Sequence, residues 1–445
     1  MSKIPIASKK PTTQELSVYI AGVFAGLISE DKHGSISFAY DAAYRGVPLS
    51  MAMPVGLARY DDAVVRPYLM GLLPDDEAVR ASIGVAYGVS GGNPFRLLRV
   101  IGLDCPGAVQ VCNPKDVKLS ENPAADLRQL SESEIAHKLR AVRSDAASAW
   151  VVRANGVNAG HWSLGGCQAK FALRKTSQGW CECAGAAATT HIFKPGVAGY
   201  ENQALVEFLS MKIAQELGLP VAHVDYRLFE DEPAIIVERY DRIGDGSGGV
   251  RRIHQEDFCQ ALSAPPASKY AEQGGPAVPE IVSLLRKTGK NLRQNVYRFV
   301  LYLFFNYLLG ATDAHAKNHS LLFVAEDDIR LAPLYDVASI APYESLRPRQ
   351  RRPLRAALSI GGENRFGMVG AEEIEKMVRV CNLDDLRLDA ALLCERMQAM
   401  AKAMPGAVEA AFASACGRGV PGVEKVADKM KTEIEGNCER TLARL

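Results

Sequence analysis

The stretch from residue 291 to residue 336 constrains the fold more than any other. An apolar helical run over 291–309 leads into Gly310-Ala-Thr-Asp-Ala-His-Ala-Lys-Asn318. A β-hairpin pattern follows: Ser320–Val324, the acidic turn Glu326-Asp-Asp, then Ile329–Ala332. It delivers Pro333-Leu-Tyr-Asp336. Helix, polar loop, hairpin and aspartate in this order require helices and antiparallel sheet in one unit.

The rest of the chain divides around that stretch. Residues 16–28 are β-prone with glycine interruptions, and 35–40 alternate after a Lys-His-Gly turn, which predicts an N-terminal sheet. Helices are expected near 59–72 and 94–100, a returning strand at Gly107-Ala-Val-Gln-Val, and a linker over 113–126. A Ser-x-Ser-Glu cap opens a helix over 131–143. A glycine-rich turn at 164–166 precedes the strand Ala169–Arg174, a Ser-Gln-Gly turn, a second strand and the strand Thr190–Lys194. A helix over 201–217 stops at Gly218 with Pro220 behind it, and strands follow at 224–229 and 234–238. Beyond Arg242 helices are expected at 255–262, 278–287, 291–309, 371–380, 385–403, 406–415 and 421–441, interrupted by the one hairpin. The expected units are a β-rich subdomain (1–115), a linker and helix (116–144), a small mixed lobe (145–242) and a helical lobe (243–445).

The loop carries chemistry. Asp313 and Asn318 have Asp-x-x-x-x-Asn spacing. Phosphoryl transfer needs a carboxylate to orient and deprotonate an attacking hydroxyl, and a nearby amide oxygen to hold Mg²⁺. Kinase catalytic loops place the two groups at this spacing. Asp336 follows the second hairpin strand, where a kinase keeps its principal Mg²⁺-binding aspartate, and hard oxygen ligands suit that ion. Each residue alone is equally a cap or turn former; the ordered set is what points to a kinase. In the small lobe, Ser163-Leu-Gly-Gly-Cys-Gln-Ala-Lys170 is a glycine-bearing turn through which backbone N–H groups can approach phosphate. It is not a Walker A loop, because Gly-Lys-Ser/Thr is missing. Lys194 ends a strand where a kinase places its phosphate-binding lysine, and Glu207 in the next helix could pair with it. Both are also ordinary surface residue types. The strand ending Glu238-Arg-Tyr240 would back an adenine, with Tyr240 either stacked on the base or packed in the core.

Several segments together resemble one family, the HipA-type kinase toxins: Ser163-Leu-Gly-Gly-Cys-Gln-Ala-Lys-Phe, Thr189-Thr-His-Ile-Phe-Lys-Pro, Val237-Glu-Arg-Tyr-Asp-Arg, His254-Gln-Glu-Asp-Phe-Cys-Gln, Lys269-Tyr with Gly274-Gly-Pro, the 310–318 loop and Leu334-Tyr-Asp. Phe38-Ala-Tyr-Asp, Leu72-Leu-Pro-Asp and Gly102-Leu-Asp-Cys-Pro-Gly-Ala extend the likeness to the N-terminal region, so that it spans about residues 15 to 440. The resemblance implies an α+β, two-lobed protein-kinase-like fold. It implies a serine/threonine kinase toxin of a type II toxin–antitoxin pair that uses ATP and Mg²⁺. The implied protein substrate is an aminoacyl-tRNA synthetase, glutamyl-tRNA synthetase in particular, and the implied partner is a small helix-turn-helix antitoxin bound to operator DNA. Residue by residue, it makes Asp313 the base, gives Asn318 and Asp336 to Mg²⁺, and sets Gly165, Gly166, Cys167, Gln168, Lys170 and Lys194 on the nucleotide phosphates. Glu238 and Tyr240 fall at the adenine. Ser163 matches a serine whose autophosphorylation ejects the phosphate loop. His315 is expected to brace the catalytic loop, and Lys317 to reach the γ-phosphate.

Two features depart from the family pattern. The loop reads Gly-Gly-Cys-Gln-Ala, where relatives commonly have Ala-Gly, a small residue, then Gln and an acidic residue; the extra glycine should loosen it. Residues 347–355 form a basic, proline-broken run, read either as a solvated loop or as a contact for nucleic-acid phosphates. The alternatives to an active protein kinase are a kinase-fold co-repressor and a small-molecule or lipid kinase. A net charge of +1 gives no global pull toward nucleic acid or membrane. The ten cysteines show no metal-binding spacing. The start lacks the apolar core of a signal peptide and Val300–Leu309 is too short to span a bilayer, so a soluble, cytoplasmic protein is expected.

Overall fold

The computed structural model describes residues 13–115, 127–151, 153–154, 157–158, 162–246, 248–346 and 354–445. The chain start, most of the expected linker and all but the end of the 347–355 basic run lie outside the described residues.

The N-terminal sheet forms as expected. Four antiparallel strands lie in the spatial order Ile36–Tyr40, Val23–Glu30, Gln14–Ile20, Val109–Cys112. The 16–28 run folds back on itself at Ala21 and Gly22, whose φ angles of 50° and 80° let a two-residue turn match the strand twist. Helices Asp62–Gly71, Glu77–Tyr87 and Pro94–Ile101 cover the sheet. The middle helix has no counterpart among the expected elements. Its signals are purely local: the Asp76 carboxylate caps the N–H groups of Ala78 and Val79, and Gly88 closes it in the left-handed region.

The small lobe is a six-stranded antiparallel sheet, ordered Val224–Phe229, Glu232–Glu238, His191–Lys194, Phe171–Thr176, Gly179–Cys183, Leu127–Gln129. The helix Glu132–Ser144 follows, with the expected capping box of Ser131 and Glu134. One apolar core joins the N-terminal sheet to this lobe: Phe38, Tyr68 and Phe95 belong to the same cluster as Phe171, Phe193 and Phe229. The helix Gln203–Glu216 belongs instead to the core of the helical lobe. It sits against the helix Ala390–Gly417 and the strands Val224–Phe229 and Glu232–Glu238, and so links the lobes.

The helical lobe departs from expectation in four places. Residues 254–257 form a strand, not the start of a helix. They pair with Ser320–Ala325, which turns the hairpin into a three-stranded sheet. Only Phe258–Ala261 is helical. The two helices expected around Pro405 are one, Ala390–Gly417, with the proline inside. Buried Met397, Ala401, Met404, Val408 and Ala411 hold one continuous face against the core, and that packing outweighs the hydrogen bond lost at proline. Hairpins Arg242–Gly244/Val250–Arg252 and Arg355–Ile360/Glu363–Arg365 are additional. The expected α+β, two-lobed architecture is present, with a β-rich small lobe and a mainly helical large one. Among the described residues no helix is long and apolar enough to cross a membrane.

Candidate active site

The long helix Leu292–Leu309 ends at Gly310, whose φ of 77° turns the chain sharply out of the core. The following loop is cinched by one carbonyl: Asp313 O accepts from His315 N–H at 2.9 Å and from Asn318 Nδ2 at 2.8 Å. The Asp313 carboxylate is thereby left outward, 66% exposed. On the far side of the hairpin, Tyr335 Oη donates to Lys317 O at 3.0 Å and bonds Ser320 Oγ at 2.6 Å, which ties the 333–336 segment to the loop. Asp336 itself sits at φ 58°, a left-handed position that aspartate tolerates better than most residues.

Asp313, Asn318 and Asp336 line one cleft between the lobes. It joins a second cavity of about 870 Å³, and Gly166, Lys317, Asn318 and Asp336 border both. The walls of the second cavity are Leu164, Ile192, the 237–241 linker and Tyr335. Glu238 and Tyr240 are on that wall; Tyr240 packs on Tyr335 with ring centroids 5.5 Å apart and hydrogen-bonds Gln255. Gly165 and Gly166 also border the second cavity. Cys167 and Gln168 face the catalytic side, where Gln168 Nε2 donates to Gln203 at 3.0 Å.

Lys194 is not a strand-end surface residue. It is buried, 2.6 Å from Glu207 and 2.5 Å from Asp336. Burial opposes its charge, but the two carboxylates outweigh that and keep it protonated. Burial likewise opposes ionisation of Asp336; Lys194 and Lys170 more than offset it and hold the carboxyl at about 2. Lys170 donates to Gly165 O at 3.0 Å, and its own burial lowers it to about 8. His315 is buried against the Tyr270 ring and neutral, because desolvation pushes its pKa down. Ser163 is fully buried, its hydroxyl donating to Cys105 Sγ at 3.2 Å.

The site fits Mg²⁺. Asn318 spends its amide N–H on Asp313 O, which leaves its oxygen for a cation, and Asp336 is a permanently ionised carboxylate on the same cleft. Magnesium takes one or two protein oxygens and completes its shell with phosphate and water. Among the described residues no group of three or more His, Cys, Asp or Glu could hold a metal by itself.

Two family models match the chain. The HipA-like C-terminal domain covers residues 162–412. The HipA N-terminal domain covers residues 16–112.

The chain belongs to the HipA family.

Its relatives include the putative kinase Y4mE of Sinorhizobium fredii, 34% identical over 393 residues, covering 85% of this chain and 91% of that protein. The serine/threonine-protein kinase toxin HipA of Shewanella oneidensis is 27% identical over 447 residues, covering 97% of this chain and 96% of that one. Among solved structures, the Shewanella oneidensis HipA, HipB and operator DNA complex contains a chain that superposes with a TM-score of 0.78 at 25% identity, over 96% of this chain and 97% of that chain.

The HipA-family site contains residues that sequence reasoning left without a role. Asp75 reaches in from the N-terminal unit to Lys317 at 2.9 Å and Lys269 at 3.2 Å. Tyr270 Oη donates to Asp313 Oδ1. Asp104 and Asp241 bind Arg239 and Arg242 in a buried cluster, joined by Arg252, that clamps the 104–107 loop to the linker. Asp75, Asp104 and Tyr270 all lie in segments that carry the family likeness, but their partners are more than 40 residues away. No local spacing could assign them.

Proposed function

We propose that this HipA-family chain is an ATP- and Mg²⁺-dependent protein serine/threonine kinase acting as the toxin of a type II toxin–antitoxin pair. The observation that carries the reading is the convergence of Asp313, Asn318 and Asp336 on a cleft whose other wall holds the buried Lys194–Glu207 pair. ATP lies with its adenine against Ile192, Glu238 and Tyr240 and its phosphates under Gly165 to Lys170. Lys194 and Lys170 neutralise phosphate charge there. Asp313 accepts the proton of the acceptor hydroxyl as its oxygen attacks the γ-phosphorus; the bond from that phosphorus to the β–γ bridging oxygen breaks, and ADP leaves with that oxygen. Asn318 and Asp336 would hold Mg²⁺, which when bound would neutralise charge on the phosphates. Lys317 is held by Asp75 and Asp257, so it supports the loop and reaches the γ-phosphate only by exchanging those partners.

The protein substrate is an aminoacyl-tRNA synthetase, with glutamyl-tRNA synthetase the leading choice, and its modification arrests translation in the cytoplasm. The partner is a small helix-turn-helix antitoxin on operator DNA; the relative solved with HipB and its operator supports this reading. Ser163 is the self-inactivation site, and its burial means that phosphorylation requires the glycine turn to leave the cleft. The working domains are taken as those expected from the sequence, divided near residues 115 and 242, with the strand and helix of the 116–144 unit counted with the small lobe.

The test is transfer of labelled γ-phosphate from ATP into a protein band in host lysate. Wild type labels a band, and Asp313→Ala labels none while binding ATP within about threefold of wild type; losing a positioned base costs on the order of 10²–10⁴ in rate. Full transfer by Asp313→Ala removes the assignment. Label found only in a small product points to the small-molecule alternative.

A further inference from the structure

Asp75, an acidic side chain from outside both lobes, enters the cleft and contacts Gly166, Lys269 and Lys317 there. Asp75 lies between the helices Asp62–Gly71 and Glu77–Tyr87. Its neighbour Pro74 forms a parallel bridge to Gly166. The backbone contact is reciprocal: Asp75 N–H donates to Gly166 O at 3.2 Å, and Gly166 N–H donates to Asp75 Oδ1 at 3.3 Å. The same carboxylate takes Lys317 of the catalytic loop at 2.9 Å and Lys269 of the 263–277 loop at 3.2 Å. Cys167 Sγ is 3.6 Å from its other oxygen.

The fit is close as well as charged. Gly165 lies so near the N-terminal unit that a β-carbon on it would stand 2.7 Å from Gly71 O. Asp75 is 6% exposed at its side chain, and the two lysines hold its carboxyl at about 2 against the opposing effect of burial. A buried carboxylate with two ammonium partners and a backbone donor is a strong, charge-assisted junction. Behind it, Ser163 has its N–H on Asp104 O at 3.1 Å and its hydroxyl on Cys105. Both partners belong to the N-terminal unit, so the turn is attached to that unit before and after the glycines.

We propose that Asp75 is the latch of the phosphate loop: a positioning residue, supplied by the N-terminal unit, that holds the glycine turn in the cleft and keeps Ser163 inaccessible. Gly165 and Gly166 are adjacent, and two adjacent glycines lose more backbone freedom on being fixed, which makes that external tether more necessary. Any partner that shifts the N-terminal unit by a few ångströms breaks the junction and switches the cleft. This rests on the kinase reading above for its consequence and for the phosphorylation readout, but not for the exchange measurement that decides it.

The experiment is hydrogen–deuterium exchange of full-length Asp75→Asn without nucleotide, compared with wild type. Amides of residues 162–170 are expected to exchange at least about tenfold faster, the loss of one charge-assisted bond. Amides of Gln14–Ile20 and Val109–Cys112 are expected to stay unchanged, which separates release of a latch from general loosening of the unit. Ser163 phosphorylation in Mg²⁺-ATP, read by mass spectrometry, rises in parallel. Unchanged exchange over 162–170, or equal acceleration in the N-terminal strands, overturns the proposal whatever the kinase activity is. If Asp75→Asn does not fold, Lys269→Met removes one arm of the junction and is expected to speed the same amides about threefold; no change there overturns it equally. Absence of ATP binding in wild type would sink the kinase reading alone, because the exchange measurement contains no nucleotide.

Discussion

Replacing Lys194 by methionine keeps the aliphatic bulk of the side chain and deletes its charge, leaving Glu207 at 1% side-chain exposure with no cation. Asp336 retains Lys170 nearby and stays ionised; Glu207 has no such reserve. A buried carboxylate without a partner neutralises rather than remain charged. Burial already pushes Glu207 above its ordinary value of 4.5 in wild type, so neutralising it at pH 7 in the variant costs at most about 3.4 kcal/mol, at about 1.36 kcal/mol per pH unit. At pH 5.5 the same step costs about 1.4 kcal/mol. Lys194→Met is therefore expected to destabilise the protein by up to about 3 kcal/mol at pH 7 and by less than half of that at pH 5.5. The sign follows from proton binding. The folded variant holds a proton that the unfolded chain releases above 4.5, so its stability falls as pH rises. Urea unfolding followed by tryptophan fluorescence reads this directly, because Trp180 packs edge-on against Phe193, with centroids 4.8 Å apart, next to the substituted residue. Lys194→Met/Glu207→Gln should recover most of the loss and abolish its pH dependence. A loss below about 1 kcal/mol at pH 7, a loss that does not change with pH, or no recovery in the double variant would refute the account of a charge-paired core at this site.

Three further outcomes are expected. Tyr270→Phe removes the hydroxyl that holds one oxygen of Asp313, so kcat for protein phosphorylation should fall about tenfold with the ATP KM unchanged; steady-state kinetics read it, and a raised ATP KM with full kcat would contradict it. Lys170, lowered to about 8 by burial, is half neutral at that pH. ATP phosphates favour its charged form, so binding at pH 8.5 should take up a proton and weaken as pH rises; calorimetry in two buffers measures the uptake, which Lys170→Met should remove. Asp104→Asn leaves Arg239, Arg242 and Arg252 short of a carboxylate in a buried cluster and should cost about 3 kcal/mol or more of unfolding free energy, measured by urea titration.

Much of this molecule is written locally. The Asp313–Asn318 spacing, the capping box at Ser131 and the stop at Gly218 are fixed by residues within one or two turns of each other, so period and turn chemistry suffice to read them. The errors in reading share a cause. Residues 254–257 look like helix until Ser320–Ala325 offers them a hydrogen-bonding edge. Pro405 looks like a break until the buried stripe from Met397 to Ala411 holds one axis through it. In both cases a tertiary contact outweighs a local preference, about a kilocalorie per residue for the strand and about 3 kcal/mol for the proline.

From its sequence alone, the chain determines that it has a carboxylate and an amide at catalytic spacing, a glycine turn and a lysine ahead of them, and the two-lobed family they belong to. Tertiary structure alone decides what those groups experience. Lys194 is a surface cation until burial and two carboxylates make it the center of a charge cluster. Asp75 is an ordinary residue of a polar turn until the N-terminal unit is packed against the cleft. Charge, burial and reach depend on neighbours brought together by the fold, Glu207 13 residues from Lys194 and Asp336 142 residues from it, and electrostatic interaction acts through space, without regard to position along the chain.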